Sequence, residues 1–237
     1  LHGNPKKELN KIQNMVYVFC AYRDWALDLY KELKKTYKKM IIIDNPKTLT
    51  FSYINKINPE YIFFPDWSWM IPSEIVNNFQ CVCFHESNLP KFRGGSPIQN
   101  QIVRGIKKTK STALLMNDKL DAGDIILQKE LLLSGTVNEI FERMKRNDFE
   151  MIKKIIQGKY KQKKQTGKSS IYKRRKPEQS ELKTLNYSNK FLYDFIRMLG
   201  EPYPNAFIKI NDKKMIFKSA KYDGKKIFFE GVIEWKF

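Results

Sequence analysis

Four short, nearly uninterrupted apolar runs alternate with helix-length segments through the first ninety residues, and this alternation constrains the fold more than anything else in the chain. The runs are residues 15–21 (MVYVFCA), 40–44 (MIIID), 61–64 (YIFF) and 80–84 (QCVCF). A strand that is apolar at successive positions has to be buried on both faces, which happens when helices cover both sides of a parallel sheet. Between the runs, Arg23-Asp24 opens a helix on which Trp25, Leu29 and Leu33 share a face, with Asp24 as the expected N-cap. Residues 50–57 form the next helix, stopped before Asn58-Pro59, and residues 72–78 a third with Pro72 in its first turn. Strand–helix–strand units of this pitch cross over right-handedly. The expected fold is a doubly wound, mainly parallel α/β sheet.

Further along, the sequence predicts a helix over 97–104, a strand over 112–116 (TALLM), a carboxylate-rich turn over 117–124 and a strand over 125–127. A long amphipathic helix follows over 137–156, with Ile140, Phe141, Met144, Met151, Ile152 and Ile155 as its apolar stripe. Residues 157–170 read as a linker. A smaller unit then carries a helix over 188–199 and strand-like runs over 206–210, 214–220 and 226–229. The expected organisation is a catalytic core over 14–165 and a small α+β carboxyl-terminal module over 171–237 that serves substrate binding or dimerisation. Residues 1–13 are polar and are set aside as a leader.

Lysine and arginine outnumber aspartate and glutamate by 44 to 25, a net charge of +19. Such a balance ordinarily points to nucleic acid, a membrane surface or a phosphorylated substrate. Residues 145–176 hold 13 basic and 2 acidic residues, but the lysines face every way with few aromatics among them, so this run is read as a solvated face. A hydrophobic content of 42% supports a real core. No apolar run approaches the roughly 20 residues of a membrane span, and the first residues lack a secretory pattern, so a cytoplasmic protein with no membrane partner is expected. The C-x-C of Cys81 and Cys83 has no second cluster to complete a metal site, and no metal is expected. The turn after the first run is Ala21-Tyr22-Arg23-Asp24, without a G-x-G-x-x-G, and no P-loop occurs. Dinucleotide and ATP chemistry lose their support.

The fourth run stops at His85, one of two histidines, and Ser87, Pro90, Gly94 and Gly95 follow it. Ligands of open α/β sheets bind outside the carboxyl ends of the strands, so His85 is placed for chemistry; a histidine satisfied by the backbone of its own loop is the alternative. Asp118, Asp121 and Asp124 stand one helix and one strand further on, where adjacent parallel strands would present them beside His85. Asp118 and Asp124 fit ordinary turn positions, which leaves Asp121 as the stronger partner. Histidine with a carboxylate is a general acid–base pair, and the residues alone indicate a proton-transfer enzyme.

The stretches C-V-C-F-H-E-S-N-L-P-K-F-R-G-G-S-P-I-Q (81–99) and L-L-M-N-D-K-L-D-A-G-D-I-I (114–126) together resemble the 10-formyltetrahydrofolate-dependent formyltransferase family. That family carries N-x-H-x-S-L-L-P-x-x-R-G and then L-D-x-G-D or L-D-G-G, and the resemblance covers residues 15–160. It implies a Rossmann-like formyltransferase core with 10-formyltetrahydrofolate as co-substrate, the family's catalytic histidine at His85 and its aspartate at Asp121. The family's asparagine, two residues before the histidine, falls on Cys83. In the family that amide donates to the developing oxyanion, where one lost donor costs about 2.7–4 kcal/mol; a thiol donates far more weakly. Asn88, on the same loop, is the candidate replacement. Cys83 is not expected to act as a nucleophile, because apolar neighbours raise a thiol pKa. By the same resemblance the folate lies against Trp67, Ser68, Met70 and Ile71 and against Met116, Asn117, Asp118 and Leu120. A phosphorylated substrate would meet Arg93, Gly94, Gly95, Ser96, Arg174, Arg175 and Arg197. Leu89-Pro90 falls where the family often has a cis peptide.

The wording W-S-W-M-I-P (67–72), R-G-G-S-P-I-Q (93–99), R-R-K-P-E (174–178) and I-R-M-L-G-E-P-Y-P-N-A (196–206) looks most like family members that formylate nucleotide-linked deoxyamino sugars. The resemblance therefore implies a nucleotide-sugar N-formyltransferase acting on a UDP- or dTDP-linked 4-amino or 3-amino sugar in bacterial surface glycan (lipopolysaccharide) synthesis. A homodimer is expected and nucleic acid is not. A methionyl-tRNA formyltransferase is the alternative and would account for the charge, yet the tail after the R-R-K-P segment looks too short for a tRNA-gripping barrel. An inactive relative kept as a binding protein is favoured only by Cys83, and a purine-pathway transformylase would not need the carboxyl-terminal module.

Overall fold

The computed structural model describes the backbone of residues 5–235. Helix α1 (Pro5–Asn14) leads into β1 (Tyr17–Ala21), α2 (Asp24–Thr36), β2 (Met40–Ile43), α3 (Phe51–Ile57), β3 (Tyr61–Asp66), α4 (Ser73–Asn78) and β4 (Cys81–His85). Then come the two-residue β5 (Arg93–Gly94), α5 (Pro97–Ile102), β6 (Lys108–Leu115), β7 (Ile125–Leu132), α6 (Val137–Ile156) and the two-residue β8 (Ile171–Tyr172). A 3-10 turn (Pro177–Ser180), α7 (Asn189–Arg197), β9 (Ala206–Ile210), β10 (Lys213–Tyr222) and β11 (Ile227–Trp235) complete the chain.

Six strands form the main sheet in the order β2-β1-β3-β4-β6-β7, with β2, β1, β3 and β4 parallel. Alternate residues of β1 enter two different cores: Tyr17, Phe19 and Ala21 face α2 and α6, while Val18 and Cys20 face the side of Ile54 and Ile75 from α3 and α4. Burial on both faces is why the run is apolar at every position. Strands β9, β10 and β11 form a separate antiparallel sheet. Leu192, Phe195, Ile208 and Phe217 join that small module to the first core without a break. Among the described residues no helix is long and apolar enough to cross a membrane.

Several local expectations change. Asp24 is not the N-cap: Arg23 takes that position without a side-chain cap bond, and Asp24 sits in the first turn of α2, where its charge complements the helix dipole. The set-aside leader contains α1; Ile12 packs on the core and its carbonyl accepts from the Tyr17 hydroxyl at 3.0 Å. Residues 1–4 lie outside the described ones.

The larger change concerns direction. Strand β6 is antiparallel to β4, with His85 opposite Thr112 and Val82 opposite Leu115, and β7 is antiparallel to β6. The short α5 (six residues) packs without carrying the chain back to the start of β4, and β6 re-enters the sheet from the carboxyl end of β4. Adjacent parallel strands therefore do not bring His85 and Asp121 together. The 116–124 turn must fold back along the sheet to do so.

The module is pinned to the core by Arg197. Its Nε donates to Asp194 Oδ1 at 2.7 Å, and Nη1 donates to the carbonyls of Leu133 and Gly135, each at 2.7 Å. Lys190 also pairs with Asp194. Replacing Arg197 by alanine strands two carbonyls and part of a buried carboxylate, and removing one partner of a buried pair costs about 3 kcal/mol or more. Arg197→Ala is expected to lower the urea unfolding midpoint accordingly, with acceptor KM unchanged in the protein that remains folded.

Candidate active site

Side chains two apart on a strand share a face, and Cys83 and His85 accordingly border one cavity. His85, 6% exposed, has Nε2 at 2.7 Å from the Phe92 carbonyl. A carbonyl only accepts, so Nε2 carries the proton and the neutral ring offers its lone pair at Nδ1. Nδ1 lies 3.7 Å from Asp121 Oδ2, too far for a hydrogen bond and close enough to pair with an imidazolium. The carboxylate is fixed from its other side, where the Gly94 N–H donates to Oδ2 at 2.7 Å. The Gln165 amide donates to the carbonyls of Asp121 and Gly123 at 2.8 and 2.9 Å and so holds the folded-back turn.

Local backbone geometry supports this arrangement. Phe92, Ser96 and Asp121 adopt left-handed φ values of 58°, 52° and 48°, a region that side chains such as phenylalanine rarely enter. Residues held this way cost about 1–3 kcal/mol each, and here they ring the histidine. Gly94 has φ +93°, and a Cβ there would lie 2.3 Å from the Tyr172 carbonyl, so β5 can pair with β8 only as glycine. The Leu89-Pro90 peptide in this loop is cis.

Two cavities meet at Cys83 and Asp121, with His85 on the wall of the first. One, of about 320 Å³, runs from Cys83, His85 and Asp121 past Asp66 and Glu86 to Trp25 and Tyr203. The other, of about 310 Å³, is walled mainly by apolar groups, with Trp67, Ile71, Leu114 and Met116 facing the 117–121 turn. Cys83 and Asp121 border both. Groups bound in the two spaces would approach each other there.

The first cavity is rich in carboxyl groups. Burial pushes Asp66 up to about 6, against the pull of the Arg23 guanidinium 2.5 Å away. Burial, reinforced by Asp66, pushes Glu86 up to about 8. The Cys83 thiol is raised well above its ordinary range by burial and then by Asp121 and Glu86, so it stays protonated and its proton points to the Phe84 carbonyl at 3.7 Å. Among the described residues no cluster of histidine, cysteine and carboxylates is placed to hold a metal ion.

A family profile described as Formyl transferase matches residues 44–156, and one described as Methionyl-tRNA formyltransferase, C-terminal domain, matches residues 177–232. The solved structure of a methionyl-tRNA formyltransferase from Clostridium thermocellum superposes with a TM-score of 0.89 at 41% identity, covering 94% of this chain and 100% of that one. The chain belongs to the formyl transferase family. A methionyl-tRNA formyltransferase of Mycoplasma mycoides is 27% identical over 90% of this chain and 72% of its own length. That of Bacillus subtilis is 28% identical over 70% of this chain, which spans 54% of it.

These relatives overturn two expectations, the nucleotide-sugar acceptor and the absence of a nucleic-acid partner. The tail that looked too short matches the profile described as the C-terminal domain of methionyl-tRNA formyltransferase.

Within this formyl transferase site the structure sorts the residues singled out from the sequence. Trp67, Met70 and Leu120 border both cavities, Ile71, Met116, Asn117 and Asp118 the apolar one, and Ser68, Gly94, Gly95, Ser96 and Arg174 the other. Four do not reach either. Asn88 is exposed and lines neither cavity, with its carbonyl accepting from the Lys91 N–H, so it does not stand in for the missing amide. Arg93 is spent on Gln165 Oε1. The Arg175 guanidinium bonds the Gln179 carbonyl and lies over Phe195, and Arg197 is the staple described above. The sequence reading passed over Gln165, Arg23, Asp66, Glu86 and Tyr203. Gln165 lay in apparent linker, and the others looked like ordinary turn, strand-end or module residues.

Gly123 carries the turn. A Cβ there would sit 1.6 Å from the Leu115 carbonyl, so any side chain drives the turn off the sheet and Asp121 away from His85. Misplacement by about 1 Å can cost about 10²-fold. Gly123→Ala is expected to lower kcat for formyl transfer by at least that factor while the far-UV circular dichroism spectrum keeps its native shape.

Proposed function

We propose that this chain moves a formyl group from 10-formyltetrahydrofolate to the α-amino group of methionyl-tRNA. The observation that carries this reading is the 41% identity across the whole of the Clostridium thermocellum methionyl-tRNA formyltransferase. The carboxyl-terminal profile match over 177–232 supports it.

The apolar cavity fits a planar pterin. Its volume of about 310 Å³ lies at the lower end of small-molecule sites, and Trp67 Nε1, on its wall, is a buried donor without a partner. Trp67, Ile71, Met116 and Leu120 would hold the ring. When bound, the folate supplies an electrophilic formyl carbon. For its part, the protein holds one proton on His85 Nε2 against Phe92 and exchanges another at Nδ1. Asp121 Oδ2, clamped by Gly94, balances the imidazolium that results.

The basic run acquires a role in the same reading. Lys159, Lys161, Lys163, Lys164, Lys168 and Lys173 are exposed along it, and the segment passes the site, since Gln165 holds the Asp121 turn and Arg174 donates to Ser68 Oγ at 3.1 Å. A row of cations beside a cavity that takes an amine suits the phosphate backbone of a tRNA acceptor end.

Two measurements test this. Purified protein with 10-formyltetrahydrofolate and methionyl-tRNA should release tetrahydrofolate and form formylmethionyl-tRNA, and His85→Asn should reduce kcat by about 10²–10⁴-fold, the usual contribution of a general acid–base group. No turnover by the wild type would sink the proposal. Cys83→Ala should change kcat by less than about threefold, because a thiol is a poor donor and this one is turned toward Phe84.

A further inference from the structure

Glu86 is the one carboxyl group of the first cavity with no cationic partner. Asp66 is paired with Arg23 at 2.5 Å, and Asp121 faces His85. Among the described residues no ion pair involves Glu86; its side chain bonds only its own backbone N–H. It nevertheless borders the cavity beside His85 and Cys83, at the unspecified position of the pattern N-x-H-x-S. The charged groups around it come from four elements: Arg23 after β1, Asp66 at the end of β3, Asp121 on the folded-back turn, and Asp148 on α6, which is 1% exposed and has an unpartnered Oδ2. Three carboxyl groups stand against two guanidiniums that are already engaged, Arg23 with Asp66 and Arg174 with Ser68 Oγ at the cavity wall, which leaves Glu86 short of positive charge.

The missing charge is what a protonated amine brings. An ammonium offers three donors and a carboxylate only accepts, so the cavity is built to take the substrate amine as a cation at Glu86. Attack on the formyl carbon, however, needs the neutral amine.

Resting on the formyl-transfer reading above, we propose that Glu86 binds the ammonium form of the acceptor and takes its proton. The N–H bond breaks and an O–H bond forms on Glu86. The freed lone pair makes the new C–N bond to the formyl carbon, and the second proton of that nitrogen passes to His85 Nδ1. The bond from that carbon to the donor nitrogen then breaks, and the donor nitrogen takes this proton from the His85 imidazolium. Glu86 returns its proton to solvent and His85 ends neutral as it began, so the cycle needs no further reactant. Burial and the neighbouring carboxyls bring Glu86 to about 8, alongside the roughly 7.7–8.0 of a free α-amine, so the transfer runs between well-matched groups.

The test compares wild type, Glu86→Gln and Glu86→Asp in methionyl-tRNA formylation between pH 6.5 and 8.5, with tetrahydrofolate binding and Tm measured on each. Glu86→Gln should lose about 10²-fold in kcat/KM near pH 8, where the Glu86 carboxylate is present to take the proton, and the loss should shrink toward pH 6.5, where Glu86 already holds a proton before the acceptor binds. Folate affinity should be unchanged, and the aspartate variant should recover part of the rate. Removing a carboxyl from among three others should leave Tm equal or higher. A glutamine variant within threefold of wild type at pH 8, or one with a lowered Tm and the same loss at every pH, overturns the assignment. A wild type inactive toward every amine overturns both this assignment and the function on which it rests, whereas an active wild type matched by the glutamine variant overturns the assignment alone.

Discussion

The hydrogen bond from the Gly94 N–H to Asp121 Oδ2, 2.7 Å long, is the constraint on which the site depends. Because β6 runs antiparallel to β4, the turn that bears Asp121 starts at the wrong end of β4 for a partnership with His85. Three features bring it back. Gly123 packs where no side chain fits, Gln165 ties the backbone on both sides of Ala122, and Gly94 receives the carboxylate. Gly94 can do so because β5 is locked to β8 through a glycine-only approach. The His85–Asp121 pairing thus rests on a segment more than 40 residues further along the chain.

The electrostatics of the cavity run against stability. Asp66 and Glu86 are both raised, by burial first, to about 6 and about 8. A carboxyl raised in the folded state binds more protons there than in the unfolded chain, so its contribution is most favourable below the ordinary carboxylate range and is lost as pH rises through the folded value. For these two groups the loss extends from about pH 4 to about pH 8. A neutral residue in place of Glu86 would avoid the cost. Carboxyls kept at such a cost in a cleft are characteristic of sites that handle protons or cations.

Much of the scaffold was legible because it depends on local pattern. The doubly buried strands showed as apolar runs, α6 showed its full span from its stripe, and His85 was placed at a strand end by the break in composition after it. What stayed hidden depends on distance. No local signal distinguishes Gln165 from the lysines around it, and its bonds reach 42 and 44 residues back. Arg197 resembled a phosphate ligand because its sequence neighbours cannot reveal that Leu133 and Gly135 surround it. The strand direction was misjudged because the parallel pattern of the first four strands was carried on to β6, whose direction no local signal marks. The acceptor was misjudged by weighing the length of the tail instead of its content.

One segment connects the proposed acceptor to the chemistry. Residues 159–176 turn their lysines outward, while the same stretch supplies Gln165 to the Asp121 turn, Ser170 Oγ to the Phe92 N–H and Tyr172 to the partner strand of Gly94. Like charges this close repel one another along the strip, and the repulsion opposes the order on which the inner contacts depend. Phosphates laid along the outer side would cancel it and steady the wall that fixes Asp121 and Phe92, and through them both nitrogens of His85. A small acceptor with the same amine would fill the cavity but leave the strip uncompensated. On this argument a polyanionic acceptor contributes to the geometry of the reaction as well as to binding, and the lysines belong to the site even though none of them lines it.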